Sequence, residues 1–504
     1  MRLPTLQEID DELARRDFAT FVRRFWDEVE PAFALRWTWH IDAICDHLQA
    51  VTDGKIRRLL INVPPGHIKS LLTCVFWPAW EWLERPWLRG LFGSYGYNLA
   101  ERDSIRCKDL LSGEKYRRLI RRLPDGNPAW SLKELPNRLD EFYTSAGGFR
   151  QVISLTGRAT GLRGHKVVID DPINVVDSES TTSLDRANWV IDQSLSSRLI
   201  DPATGCHVLI MQRVSKHDPA GHLLEQGGYD HLCLPSEFEG GCACPKGTAC
   251  SQREGTTIGF VDPRSVPGDL LNPLVFTPDA LSEIKLRLGS RGYAGQHQQR
   301  PAPLEGNLVK VEYTQRRYQI LPNVQGEWRL SCDLKATSSK KKTSSFACVG
   351  VWFRPLGSPD CYLVSVYRGR WGFLESISRI RQISDDWPLA TKKRIEHKAL
   401  GPAVVETLGL ELTGIDPWDP KTDDKTRRML AVLPLIEAGN LLLPEKAPWL
   451  DEYLAELTTF PASANDDQAD MTSMALSDWI RTAAPLAGSF RHAPRRNDGL
   501  RKVF

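Results

Sequence analysis

Apolar positions along this chain follow two different periods, and the change between them divides it. Residues 1 to about 50 read as helical, with an amphipathic, heavily charged start and with Trp37, Trp39 and His40 just before the first strong strand. From Leu59 to about Gln212, short continuous apolar runs recur: LLINV, LRGLFGSYG, VVIDDP and CHVLIMQ. Helical or loop stretches separate them, which predicts a largely parallel sheet covered by helices on both faces. A Gly/Pro/Cys-rich insertion follows, roughly Gly240 to Pro273, and then a helical stretch, PDALSEIKLRLGSRGYAGQHQQRP. The period changes at Trp328. WRLSCDLKA, FACVGVWFR and CYLVSVYRGRW are apolar strands with short polar turns, as in an antiparallel meander, and helix-like and strand-like segments alternate after them.

The expected fold class is α/β throughout. Residues 1–300 form a mostly parallel-sheet domain with a Cys-rich insertion at about 233–255. A linker spans 301–325, a mixed-sheet domain 326–485, and a basic, aperiodic tail 486–504.

Composition narrows the function classes. Hydrophobic residues at 41% and charged residues at 25% of 504 describe an ordinary globular protein with room for two or three domains. No apolar run approaches the ~20 residues of a membrane helix, and no signal pattern opens the chain, so a cytosolic protein is expected. The formal net charge is only +2, so nucleic-acid binding has to come from local patches. Of the 11 cysteines, Cys233, Cys242, Cys244 and Cys250 crowd the insertion. They are candidate ligands for a structural Zn²⁺, with His222 or His231 as further donors, although C-x-C-x5-C is not the paired C-x2-C of a strong zinc signal. A reduced surface loop is the other reading.

Two constellations carry chemistry. In INVPPGHIKS a strand runs through a tight corner (Pro65, Gly66, His67, Ile68) into Lys69 and Ser70 and an apolar helix. A phosphate loop is built this way: backbone N–H groups and a helix N-terminus surround phosphates, the lysine reaches the outer ones, and a hydroxyl holds Mg²⁺. GHKVVIDDPINV adds a buried-type strand ending in Asp170 and Asp171. Such strands end where ligands bind, so Asp170 is a metal-holding candidate and Asp171 a water-orienting one. The second constellation is Asp333 inside an apolar strand, Glu396 among basic neighbours, and Asp466, Asp467 and Asp470 at the start of a helix. Asp467 and Asp470, at i and i+3, share a helix face. Buried carboxylates are costly unless a cation neutralises them, and several of them around two divalent ions is the arrangement that cleaves phosphodiesters.

INVPPGHIKS, VVIDDPIN and VLIMQRVSKHDPAGHLL resemble the ATPase motifs of tailed-bacteriophage large terminase subunits. Asp333, Glu396 and the Asp-Asp-x-x-Asp run, with LIEAGNLLLP and ELTTFP between them, resemble the RNase H-like nuclease of the same family. That family's loop usually reads Pro-Pro-Arg-His-Gly-Lys-Ser, so here Gly66 stands for the arginine and Ile68 for the glycine. If residue 68 takes a positive φ, a β-branched side chain there is strained.

The resemblance implies further roles. Gln212 and Arg213 couple hydrolysis to domain motion. Arg158 or Arg163 is an arginine finger. Asp333, Glu396 and Asp467, supported by Asp466 or Asp470, ligate Mg²⁺ or Mn²⁺, though the hairpin after the first strand lacks the family's further aspartate. It implies ATP as cofactor, and double-stranded DNA, a portal protein and a small subunit as partners. It also implies a ring, a pentamer on the portal, formed from a chain that is monomeric in solution, in the host cytoplasm and transiently at the procapsid vertex. The basic tail, by the same analogy, docks the portal.

Lys340, Lys341 and Lys342 project from a hairpin beside the carboxylates and are candidate DNA contacts. Arg117, Arg118, Arg121 and Arg122 are expected on roughly one helix face. Two rivals keep the same residues: an ATP-dependent helicase-nuclease of repair or defence, and a DNA-binding scaffold with a dead motor.

Overall fold

A computed structural model describes residues 3–155, 161–242, 244–301, 307–334, 346–420, 424–463 and 465–482. The chain divides into two units, Met1–Leu304 and Glu305–Phe504.

The first unit is built on an eight-stranded sheet. Its strands are β1 (Arg58–Asn62), β2 (Arg89–Ser94), β3 (Leu132–Asn137), β4 (Glu141–Thr144), β5 (Phe149–Ser154), β6 (Lys166–Asp170), β7 (Cys206–Met211) and β8 (Asp230–Cys233). The order is β3-β4-β5-β2-β6-β7-β1-β8, antiparallel only at the β3-β4-β5 edge. The inner strands are continuous apolar runs because both of their faces are covered.

Three helices, Leu6–Arg16, Phe18–Val29 and Trp39–Thr52, occupy the N-terminal segment, the first closed by a Thr5/Glu8 capping box. Trp37, Trp39 and His40 pack here as core and near-core residues: Trp37 lies under Arg23 and Trp39 stacks on Phe260. The basic stretch forms only a short helix, Glu114–Leu119. The chain turns extended at Ile120, so Arg121 leaves the expected face and pairs with Glu84.

The second unit carries a seven-stranded mixed sheet. Its strands are β9 (Arg317–Tyr318), β10 (Gly326–Asp333), β11 (Ala347–Pro355), β12 (Cys361–Gly369), β13 (Lys392–Glu396), β14 (Ile415–Trp418) and β15 (Leu441–Pro444), in the order β14-β13-β10-β11-β12-β15-β9. The meander β10-β11-β12 is antiparallel as expected, and β13 and β15 flank it in parallel. Much of the stretch read as a linker belongs to this unit, since Val309 is buried in its core and β9 pairs with β15.

The helix Asp467–Thr482 lies on β10 and β11. Gly350 lets it come close, because a Cβ there would stand 2.2 Å from Met471 Sδ. At its far end Asp478 is held by Arg329, Lys392 and Arg394 at 3.2, 2.6 and 3.1 Å. Burial pushes the Asp478 carboxyl up, but these cations outweigh it and hold it well below its ordinary value.

Candidate active sites

β1 leads into the corner read as a phosphate loop. Gly66 has φ +79°, and a Cβ on it would meet Phe276 Cζ at 2.8 Å. Phe276, which no sequence pattern singles out, stacks on the buried His67 ring at 4.7 Å between centroids and 8° between planes. His67 Nδ1 lies 3.0 Å from the Pro65 carbonyl oxygen, and burial pushes its pKa down to about 4.

Ile68 takes φ +52°, so the conformation that usually calls for glycine is present with a β-branched residue in it. Lys69 and Ser70 then open a helix whose first part, Leu71–Phe76, is a wide π turn, with the Trp77 N–H bonded to the Leu72 carbonyl. Pro78, in the first turn of the α-helix Trp77–Glu84, has no N–H to give to the residue four before it.

The acidic strand meets this loop. Lys69 Nζ is buried and stands 3.1 Å from Asp171 Oδ2. Asp171 has φ +42°, and its other oxygen receives the Gln212 backbone N–H at 3.3 Å. Asp170 is buried. Desolvation and the neighbouring Asp171 push its carboxyl up to about 7, against the opposing pull of Lys69 and a hydrogen bond from Ser70. Its Oδ1 has no hydrogen-bond partner among the described residues. Asp103 and Cys74 bring ligand atoms within 4.8 Å of Asp170, a proximity no motif announces.

Arg213 bonds Asp218, the N-cap of the helix Pro219–Gln226, through Nε at 2.9 and 3.0 Å. It therefore reaches away from the acidic pair. Arg163 is exposed ahead of β6; Arg158 lies outside the described residues.

In the second unit, Asp333 ends β10 and is buried. β13 runs parallel beside it, with Cys332 opposite Ile395, so Glu396 ends the neighbouring strand at the same level. Asp467 and Asp470 lie in the first turn of the helix laid on β10 and β11. The ligand oxygens of Asp333, Glu396 and Asp467 are not all within 4.8 Å of one another.

Cations that sequence reasoning missed hold Glu396, Asp466, Asp467 and Asp470. Arg368 bonds Asp467 at 2.6 Å and Glu456 at 2.9 Å. Arg428 bridges Glu396 at 3.0 Å and Asp470 at 2.9 Å. Lys425 contacts Asp466 and Asp470 at 2.6 and 2.7 Å. Glu456, whose pKa burial raises, accepts the Gln468 and Ala469 N–H groups at 2.6 and 3.3 Å and so caps the helix that carries Asp467. The residues Lys340, Lys341 and Lys342 lie outside the described residues.

Carboxylates thus end the adjacent parallel strands β10 and β13, and the helix laid on β10 and β11 has an acidic start. Residues 387–478 match the family model described as the terminase RNaseH-like domain. This segment is similar to a terminase RNase H-like domain. The match contains Glu396, Asp466, Asp467 and Asp470, and it bears out the terminase resemblance read from the acidic motifs.

Among solved structures, the large terminase of a thermophilic bacteriophage is similar over 86% of this chain and 98% of its own, at 10% identity and a TM-score of 0.48. The complex of that terminase with ATP-γ-S is similar over 85% and 97%, at 10% identity and a TM-score of 0.46. The large terminase nuclease of a second thermophilic phage, G20c, with bound magnesium is similar over 35% of this chain and 98% of its own, at 13% identity and a TM-score of 0.26. No curated protein matches. Among the described residues no helix is long and apolar enough to cross a membrane.

The cysteine-rich insertion departs from expectation in one ligand. Cys233 ends β8 with its sulfur buried in the same apolar cluster as Leu60, Leu209 and Met211, and it is not among the converging donors. His231, on the same strand, takes that place. His222 pairs with Asp192 instead, at 3.0 Å.

Proposed function

We propose that this chain is the large subunit of a phage terminase. Its first unit hydrolyses ATP to drive double-stranded DNA into a procapsid, and its second cuts concatemeric DNA. The observation that carries this reading is the Lys69–Asp171 contact at 3.1 Å beside buried Asp170, in a chain whose other unit matches a terminase nuclease family.

Lys69 binds the outer phosphates, which releases Asp171 from its ion pair to orient a water. Asp171 also touches the Gln212 backbone, so that release reaches the segment leading to Arg213 and the helix it caps. Ser70 and Asp170 fit a divalent ion, since Asp170 keeps an unpartnered buried oxygen. Asp333, Glu396, Asp467 and Asp470 fit the nuclease ions by donor chemistry, with Arg368, Arg428 and Lys425 balancing their charge. Bound Mg²⁺ supplies Lewis acidity at both sites. A portal protein, a small subunit and a ring of copies follow from the same reading, as does action in the host cytoplasm.

Two substitutions test it. Lys69→Ala abolishes ATP turnover and leaves metal-dependent DNA cutting measurable; Asp333→Ala does the reverse. Loss of both activities in both folded variants refutes two separate engines, strand separation by the wild type favours a helicase-nuclease, and no ATP turnover with DNA and capsid partners favours a scaffold.

A further inference from the structure

Four soft donors meet beside β8. His231 Nδ1 and the sulfurs of Cys242, Cys244 and Cys250 all lie within 4.8 Å of one another. Cys250 Sγ is 3.3 Å from Cys242 Sγ and 3.6 Å from His231 Nδ1, and the Cys242 and Cys244 sulfurs touch.

The histidine is prepared for this role from behind. Its Nε2 lies 2.9 Å from Asn62 Oδ1. The Asn62 amide nitrogen donates to the Met211 carbonyl at 3.0 Å, so its oxygen is the atom turned to the ring and has to receive a proton from it. Nε2 therefore carries the hydrogen, and Nδ1 points its lone pair at the three sulfurs. A ligating imidazole is ordinarily oriented by a hydrogen bond of this kind on its other nitrogen.

We infer that His231, Cys242, Cys244 and Cys250 bind one structural Zn²⁺. Three thiolates and one imidazole form a closed tetrahedral set that suits zinc and leaves no position for substrate. A Cys242–Cys244 disulfide is the competing use of the sulfurs. It closes so short a loop that it constrains little of the unfolded chain. It also leaves Cys250 and the oriented His231 aimed at sulfurs they cannot use. The other nine cysteines are free thiols, in keeping with a reduced chain.

The ion ties the insertion to the sheet. His231 pairs with Leu60 in the β1–β8 register, and Asn62, its hydrogen-bond partner, is the last residue of β1 before the phosphate loop. The metal thus braces the strand end from which Pro64 to Ser70 depart. This inference stands independently of the packaging function.

The test uses the full-length protein, purified under reducing conditions from zinc-supplemented growth. Elemental analysis reads about one zinc per chain. Cobalt-substituted protein shows thiolate-to-cobalt charge-transfer and tetrahedral ligand-field bands. His231→Ala and Cys250→Ser lower the zinc content about tenfold or more, whereas Cys233→Ser retains it. Should the ligand variants fail to fold, the wild type still decides: zinc released on thiol blocking, with eleven titratable thiols in the denatured protein, supports the site. Wild type without zinc, or a chain two hydrogens lighter with a Cys242–Cys244 linked peptide, overturns it.

Discussion

Ile68 is held at φ +52° with its side chain half-buried against the core of the first unit. A left-handed conformation costs an L-residue roughly 1–2 kcal/mol, and more for a β-branched one. Replacing Ile68 by glycine removes that strain but also removes apolar contact, so that substitution alone is ambiguous. The comparison between Ile68→Gly and Ile68→Ala is not, because both lose nearly the same contact. In ordinary helix or strand, glycine is the worse residue by roughly 0.5–1 kcal/mol. At this φ the order inverts, and Ile68→Gly is more stable than Ile68→Ala by about 0.5–1 kcal/mol. For a unit of this size that is a difference of about 1–2 °C in midpoint. Thermal melts of both variants, followed by near-UV circular dichroism with and without ATP, measure it. An alanine variant as stable as the glycine variant, or more so, refutes the backbone assignment, and with it the claim that residue 68 occupies the loop's glycine position.

Gly66→Ala places a methyl 2.8 Å from Phe276 at positive φ, displaces the His67–Phe276 stack, and costs about 1–3 kcal/mol in denaturant unfolding. His67, held at about 4 in the fold against 6.5 when unfolded, binds its proton more readily in the unfolded chain. Its contribution is therefore full above pH 6.5 and is lost as pH falls towards 4, up to about 3 kcal/mol. His67→Phe, which keeps a ring on Phe276, flattens that slope in urea midpoints taken from pH 7 to 4.5, and an unchanged slope excludes His67 as its source. Arg428→Ala leaves Glu396 and Asp470 without the cation they share and destabilises the second unit by about 3 kcal/mol. Mg²⁺ or Mn²⁺ then raises the variant's melting temperature more than the wild type's, and equal shifts contradict a shared cation position.

What could be read in the sequence follows from burial. β1, β2, β6 and β7 announced themselves because strands covered on both faces need unbroken apolar runs. β3 did not: Leu132–Asn137 sits at a sheet edge, where LKELPN is tolerated. Asp333 stood out because a lone carboxylate in an apolar strand is costly and asks for a cation, and Asp170 because it closes a buried-type strand at the edge where ligands bind. Their counterparts were not, since arginines such as Arg368 and Arg428 occur on any surface and only the fold turns these two inward. The fourth donor of the cysteine cluster was legible only as one of several candidates, since His231 stood beside Cys233 and His222. His231 comes from a strand upstream of the cysteines, and Cys233, nearer in sequence, is carried by that strand into the core.

The charge pattern around the second site explains how an acidic helix start can fold before any ion reaches it. The helix Asp467–Thr482 is fixed at both ends: Asp478 by three cations from β10 and β13, and the first turn by Arg368, Arg428, Lys425 and the Glu456 cap. The far end sets the position of the helix on the sheet without drawing on the carboxylates of the site. The near end neutralises those carboxylates with shared side chains: Arg368 divides its guanidinium among Glu452, Glu456 and Asp467, and Arg428 divides its own between Glu396 and Asp470. If the site takes a divalent ion, as proposed above, that ion replaces a cation of lower charge density instead of filling a bare cluster of negative charge. The net cost of metal entry is then the displacement of shared ion pairs, a smaller term than the desolvation of naked carboxylates would be. On that reading, rigidity and metal affinity belong to different acids of one helix, Asp478 to the first and Asp467 with Asp470 to the second.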